Sequence, residues 1–187
     1  MESVGYDLYC KMLNEAVKTL KGEMEEEEEF ETKVEIDRDA FIPSSYIKSE
    51  YQKLHIYKKI AEIETEEEFL DIQAELIDRF GELPFEVNNL LNVGHIRALA
   101  HQAYVTRVKQ ENDGIRFEML PAAKYDTAKI PPMVAAYEGR LVPKTGEKPS
   151  FFLKLSKGTE SFAFYKAVKE VLNDLKACCA HGKETNA

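Results

Sequence analysis

The chain has 187 residues, of which 44% are hydrophobic, and its ten Phe and nine Tyr suffice for a substantial core. The formal net charge of −9 argues against nucleic acid as a direct partner, because nucleic-acid binding depends largely on Lys and Arg. No run approaches the roughly 18 apolar residues of a membrane-spanning helix, and no signal-peptide pattern opens the chain, so we expect a cytoplasmic protein without membrane contact.

The first elements predicted along the chain are a helix, an acidic loop and a strand. Apolar residues recur every three or four positions from Tyr6 to Leu20, which predicts an amphipathic helix. Seven glutamates in residues 23–31 repel one another and predict a mobile acidic loop, with a partner-binding tail as the alternative. The alternating pattern of Thr32–Asp37 predicts a half-buried strand.

Three consecutive helices are predicted in the next part of the chain. Thr65 and Glu68 have the spacing of a capping box, in which each side chain accepts a hydrogen bond from the other residue's backbone. Gly81 can adopt the positive φ that ends a helix, and Pro84 fits the first turn of a following helix. The predicted spans are Ser49–Ile60, Thr65–Phe80 and Phe85–Ala103.

The second half of the chain predicts strands followed by a last helix. The Asp113-Gly114 pair predicts a β-hairpin turn with positive φ values, and Pro131 begins a short helix that runs through Tyr137. A final helix is predicted over Glu160–Cys179, followed by a disordered tail at 181–187. Strands are expected near Val34, Val105, Phe117, Leu141 and Leu153. We therefore predict an α+β fold in which the helices pack with a small, curved, mixed β-sheet.

The most informative segment is Glu75–Gly81, whose sequence is ELIDRFG. At about 100° per residue, one stripe of its helix is apolar and predicted to face the core; this stripe contains Phe69, Ile72, Leu76 and Phe80. The flank beside the stripe carries Glu68, Asp71, Glu75, Asp78, Arg79 and Glu82. Two interpretations stay open. The flank is a solvated face with i,i+4 pairs such as Glu75 with Arg79, each worth ~0.2–0.5 kcal/mol, or it binds a partner.

Motifs of catalysis or of cofactor and metal binding are not found in the sequence. The histidines His55, His95, His101 and His181 lack the spacing of metal ligands, and no phosphate-binding loop or serine nucleophile motif occurs. The three cysteines form no disulfide framework or zinc motif, and we interpret them as reduced thiols. The sequence therefore predicts no catalytic residue, no cofactor and no metal in this chain.

Three segments together resemble the C-terminal domain of bacterial transcription-repair coupling factor, Mfd. These segments are Met1–Tyr9, Leu54–Ala61 and the ELIDRFG motif with Leu83-Pro84; the likeness follows the family in order and spacing over nearly the whole chain and is looser after Ala103. The resemblance implies that residues 1–180 form a single regulatory domain, a fragment of a larger protein. That parent uses ATP and Mg in a DNA translocase motor to displace stalled RNA polymerase, and it recruits UvrA for nucleotide excision repair through a UvrB-like module.

The resemblance also implies an autoinhibitory role for this domain. Glu75, Asp78 and Arg79 match the family positions that contact the UvrB-like module of the same parent chain, and this contact masks the surface that binds UvrA. UvrA and RNA polymerase are then indirect partners, and the fragment itself is not an enzyme. Two alternatives stay open: a protein-docking domain that binds polymerase or a repair factor without inhibition, and an enzyme in its own right.

Overall fold

The computed structural model describes residues 30–179. The predicted helix Tyr6–Leu20, residues 23–29 of the acidic loop and the tail at 181–187 therefore lie outside the described residues. Residues 30–179 contain five helices and one mixed sheet of five strands, which confirms the α+β prediction. They form two compact units, one over residues 38–98 and the other over residues 32–37 and 99–179.

The observed elements agree with the predicted ones to within a few residues at each end. The helices are α1 (Glu50–Ala61), α2 (Glu66–Phe80), α3 (Phe85–Gln102), α4 (Ile130–Ala136) and α5 (Ser161–Ala177). The strands are β1 (Lys33–Glu35), β2 (Val105–Glu111), β3 (Gly114–Met119), β4 (Leu141–Lys144) and β5 (Ser150–Lys154).

The unit at residues 38–98 contains α1, α2 and most of α3, with a core of buried aliphatic side chains. In α2, Leu76 is fully buried and Phe69 is 8% exposed, while Ile72 and Phe80 pack against the same cluster. This confirms the predicted apolar stripe. Burial of one large apolar side chain stabilises a fold by about 1.5–3 kcal/mol, so the stripe fixes the rotation of α2 about its axis.

The two ends of α2 have defined local structures. At the start, the Thr65 hydroxyl accepts a hydrogen bond from the Glu68 amide and the Glu68 carboxylate accepts one from the Thr65 amide, as predicted. At the end, Gly81 has φ 88° and ψ −165°, a conformation that strongly favours glycine. The predicted start of α3 at Phe85 is confirmed: Pro84 lies directly before it, and its carbonyl oxygen accepts a hydrogen bond from the Asn88 amide in the first turn.

The sheet of the other unit has the strand order β1-β2-β3-β5-β4. Strand β1 pairs in parallel with β2, and the remaining pairs are antiparallel. Residues alternate between a buried face and an outer face, as expected for strands with one face on a core. The buried face contains Val105, Val108, Ile115, Phe117, Met119, Leu141, Phe151 and Leu153.

The β2–β3 hairpin forms where predicted but for a different reason. The positive φ values in residues 30–179 do not include Asp113 or Gly114, so the predicted turn geometry was wrong. Gly114 instead begins β3, where a Cβ atom would lie 1.9 Å from the carbonyl oxygen of Leu153 on β5. Glycine is required here because the neighbouring backbone leaves no space for a side chain.

We predict that Gly114→Ala lowers the free energy of unfolding by about 3 kcal/mol or more, because the backbone of β3 or β5 must move to relieve the overlap. Gly158→Ala is the matched control, since Gly158 has φ +81° but nothing within 4 Å of a new Cβ. It should cost about 1 kcal/mol from backbone strain alone. Urea denaturation followed by circular dichroism measures both, and equal losses would contradict the steric explanation.

Candidate functional site

The candidate site is the surface of α2 formed by Glu75, Asp78 and Arg79, which we call the α2 ridge. The three residues lie on one flank of the helix, because Leu76 and Phe69 hold the neighbouring apolar stripe in the core. Their environments differ. The side chain of Glu75 is 29% exposed and that of Arg79 is 37% exposed, whereas Asp78 is exposed to solvent.

Glu75 is held by two cations. Its Oε2 lies 2.6 Å from Nζ of Lys59 on α1, and its Oε1 lies 2.8 Å from Nη1 of Arg79 one turn along α2. The hydrogen bond from Lys59 is the main reason that the pKa of Glu75 is lowered; partial burial opposes this effect, and the hydrogen bond from Arg79 adds to it. Glu75 is therefore an ionised, oriented group that links α1 to α2.

Arg79 is positioned by contacts on two sides. Its guanidinium donates to Glu75, and its Cζ atom lies 4.9 Å from the centroid of the Phe80 ring. A cation over an aromatic face at this distance is attracted by the ring, by about 0.5–1 kcal/mol at an exposed site. Because a guanidinium has five N–H donors and Glu75 takes one of them here, Arg79 can still donate to a partner.

Asp78 is the member of the ridge whose side chain has no partner within residues 30–179. Within residues 30–179 its carboxylate makes no hydrogen bond or ion pair. Glu68, which the helical periodicity placed on the same flank, is instead used by the capping box: its Oε2 accepts from the amides of Glu64 and Thr65. The predicted acidic flank is thus divided between a structural part and an accessible part.

Tyr46 fixes the end of the helix that carries the ridge. Its hydroxyl oxygen lies 3.0 Å from the carbonyl oxygens of both Leu76 and Gly81, and its ring packs at 5.8 Å on Phe80. Burial raises the pKa of Tyr46, so the hydroxyl keeps its proton and can donate. Sequence reasoning missed both Tyr46 and Lys59, because each lies on another segment and has no local pattern that marks its role.

Two exposed apolar side chains were also missed. Leu70 and Ile77 are 51% and 47% exposed, and they lie on the side of α2 away from the α2 ridge, with the exposed Ala74 between them. Their spacing of seven residues places them on the same face of the helix.

Other chemistry in the described part of the chain is limited. Residues 30–179 contain no group of three or more His, Cys, Asp or Glu placed to hold a metal ion. Burial raises the pKa of Cys178 and raises that of Cys179 to about 11, so both thiols are protonated at neutral pH. Within the same range, none of the helices has the length and apolar character needed to span a bilayer.

Comparison with known proteins locates the α2 ridge within a recognised family region. The model of the TRCF domain family matches residues 36–130. The chain is 41% identical over 116 residues to the transcription-repair-coupling factor of Bacillus subtilis and 35% identical over 153 residues to that of Borreliella burgdorferi, which is 62% and 82% of this chain. It spans 10% and 14% of the length of these relatives.

A solved structure has the same fold. The crystal structure of the C-terminal domain of transcription-repair coupling factor superimposes with a TM-score of 0.64, covering 79% of this chain and 95% of that chain. The sequence identity is 23%, so this likeness establishes the fold alone.

We predict that Glu75→Gln destabilises the chain in a pH-dependent way. The pKa of Glu75 is lowered on folding from an ordinary value of 4.5, so the ionised carboxylate stabilises the folded state above that pH. The stabilisation is lost as the pH falls through the folded-state pKa. At pH 7 the substitution should cost about 1 kcal/mol or less, and the difference from wild type should shrink below pH 4.5 and vanish in stronger acid.

Urea denaturation across this pH range is the measurement. Asp71→Asn is the control, because Asp71 is an exposed carboxylate of the same helix that makes no ion pair in the described residues. Identical pH profiles for Glu75→Gln and Asp71→Asn would show that the pairs with Lys59 and Arg79 do not stabilise the fold.

Proposed function

Because the chain belongs to the TRCF domain family, we propose that it serves a transcription-repair coupling factor as its C-terminal regulatory domain and acts by autoinhibition. The α2 ridge binds the UvrB-like module of the same parent chain. This contact masks the module's UvrA-binding surface until the parent engages stalled RNA polymerase. The ATP-driven motor belongs to another part of the parent, and this domain regulates without catalysing a reaction.

The observation that supports this proposal is the state of the three ridge residues. Asp78 is exposed and makes no ion pair within residues 30–179, while Glu75 and Arg79 are already oriented by Lys59 and Phe80. A surface that is ordered before binding loses little conformational entropy when a partner arrives. A simple solvated face does not require this order, since long exposed side chains gain little from ion pairing.

The chemistry of the ridge supports a partner surface that contains an arginine. Asp78 presents a carboxylate that an arginine of the UvrB-like module can bind with two parallel N–H donors, and Arg79 presents donors for an acceptor. The exposed position of Asp78 keeps this contact screened by water and salt. A contact of this kind suits reversible regulation, for which coupling energies of about 1–3 kcal/mol are usual.

We predict that Asp78→Ala weakens binding of the full chain to the purified UvrB-like module by about tenfold, or about 1.4 kcal/mol. The loss should be larger when Glu75→Ala and Arg79→Ala are added, because the ridge then has no charged group for the partner. Glu66→Ala is the control: it removes an exposed carboxylate of the same helix from the other flank. Isothermal titration calorimetry measures all variants, and wild-type affinity in the triple variant would refute the proposal.

Competition with UvrA separates autoinhibition from simple docking. We predict that the chain displaces UvrA from the UvrB-like module and that Asp78→Ala reduces this displacement in proportion to its weaker binding. Raising the salt concentration should weaken the chain's binding, because exposed charge pairs are screened over about 8 Å at physiological ionic strength. If the chain and UvrA bind the module together, the domain is a docking domain that does not inhibit.

A further inference from the structure

The outer face of the β-sheet is basic although the whole chain is acidic. Directly opposed residues of paired strands share a face, and the register brings Lys109, Arg116 and Phe152 into one row. Six cations lie on this face: Lys33, Arg107, Lys109, Arg116, Lys144 and Lys154. Its three carboxylates belong to Glu35, Glu111 and Glu118. The face therefore carries a net positive charge in a chain whose formal charge is −9.

The two arginines pair with the three carboxylates, whereas the four lysines of the face form no ion pair within residues 30–179. Arg107 lies 2.7 Å from Glu35 and 3.7 Å from Glu118, and Arg116 lies 2.7 Å from Glu111. Within residues 30–179, the lysines of this face make no ion pair or hydrogen bond to any side chain; they are Lys33, Lys109, Lys144 and Lys154. The free positive charge is thus spread from β1 across the sheet to β4.

An apolar site lies among these lysines. Phe152 of β5 is directly opposite Val142 of β4, which is 41% exposed. The guanidinium carbon of Arg116 lies 5.0 Å from the centroid of the Phe152 ring on the other side. An apolar centre with a charged rim is the usual arrangement of a protein-binding surface.

We propose that the outer face of the sheet binds an acidic protein segment in which carboxylates flank an apolar side chain. The apolar side chain packs on Phe152 and Val142, and the carboxylates pair with Lys109, Lys144 and Lys154. This surface is distinct in its residues from the α2 ridge, so the inference does not rest on the proposed regulatory function.

The dimensions of the sheet support a short, extended ligand. Lys109 on β2 and Lys144 on β4 are separated by three strand spacings across the sheet and by two residues along the strands, which places them about 16 Å apart. About five residues of an extended segment span that distance at about 3.3 Å per residue. One residue between two pairs of acids is then placed over Phe152 while the acids reach the lysines on either side.

A protein segment fits this face better than a nucleic acid does. Single-stranded nucleic acids bind on several aromatic side chains that stack with successive bases, whereas the centre of this face has one aromatic ring, Phe152, which already stacks with Arg116. The chain's formal charge of −9 also opposes the approach of a long polyanion, while a short segment meets mainly the local charge of the face.

The test is binding of a fluorescent peptide of sequence EEEEFEEEE to the full chain, measured by anisotropy at low salt. The double variant Lys144→Glu with Lys154→Glu should weaken binding by at least about tenfold. Its control, Lys157→Glu with Lys166→Glu, makes the same charge change at exposed lysines outside this face and should change affinity less than about twofold. Val142→Ser should weaken binding of the EEEEFEEEE peptide by about threefold, because the apolar contact with its phenylalanine is lost. The affinity for an all-glutamate peptide should be unchanged.

Several results would overturn the inference. One is equal loss of binding in the two double variants, which would mean that only total charge matters. Another is that a single-stranded thymidine oligonucleotide binds more tightly than the peptide and that Lys144→Glu with Lys154→Glu abolishes this binding. That result would assign the face to nucleic acid. A third is self-association of the wild-type chain that the first double variant abolishes, since the occupant would then be a second copy. Absence of any peptide binding at low salt also refutes it.

Discussion

The arrangement of the candidate site depends on the burial of Leu76. This side chain is fully buried in the core of the unit at residues 38–98, with Phe69 on the same stripe. Because successive residues of a helix are about 100° apart, this burial determines where every other side chain of α2 lies. It places Asp78 in solvent and brings Glu75 to the edge of the core, where Lys59 reaches it.

The charged residues of α2 consequently have different roles. Glu68 caps the helix, Glu75 joins α2 to α1 through Lys59, and Asp78 stays accessible. Composition does not distinguish these carboxylates, but their contacts do. Glu68 stabilises the local structure of the helix, Glu75 contributes to packing, and Asp78 can bind a partner. The proposed regulatory contact depends on this difference. A partner that binds Asp78 replaces only the water around its carboxylate, so no contact that stabilises the fold is lost.

The sheet shows the same difference between composition and placement. A formal charge of −9 argued against a polyanionic partner, and for the molecule as a whole it still does. Strand pairing nevertheless collects six cations and three carboxylates on one face, where Arg107 and Arg116 pair with the carboxylates. Net charge describes the long-range field of a protein, whereas a binding surface responds to the charges within about one Debye length.

The sequence by itself determined the elements, the α+β class and the orientation of α2, because hydrophobic periodicity and the Thr65–Glu68 capping box are local patterns. It also pointed to Glu75, Asp78 and Arg79 as one surface. The tertiary structure alone decided which of them are already paired, since Lys59 reaches Glu75 from another helix. It likewise decided that Gly114 is required by the approach of the Leu153 carbonyl oxygen. Contacts between distant segments depend on how the elements pack, which no local pattern encodes.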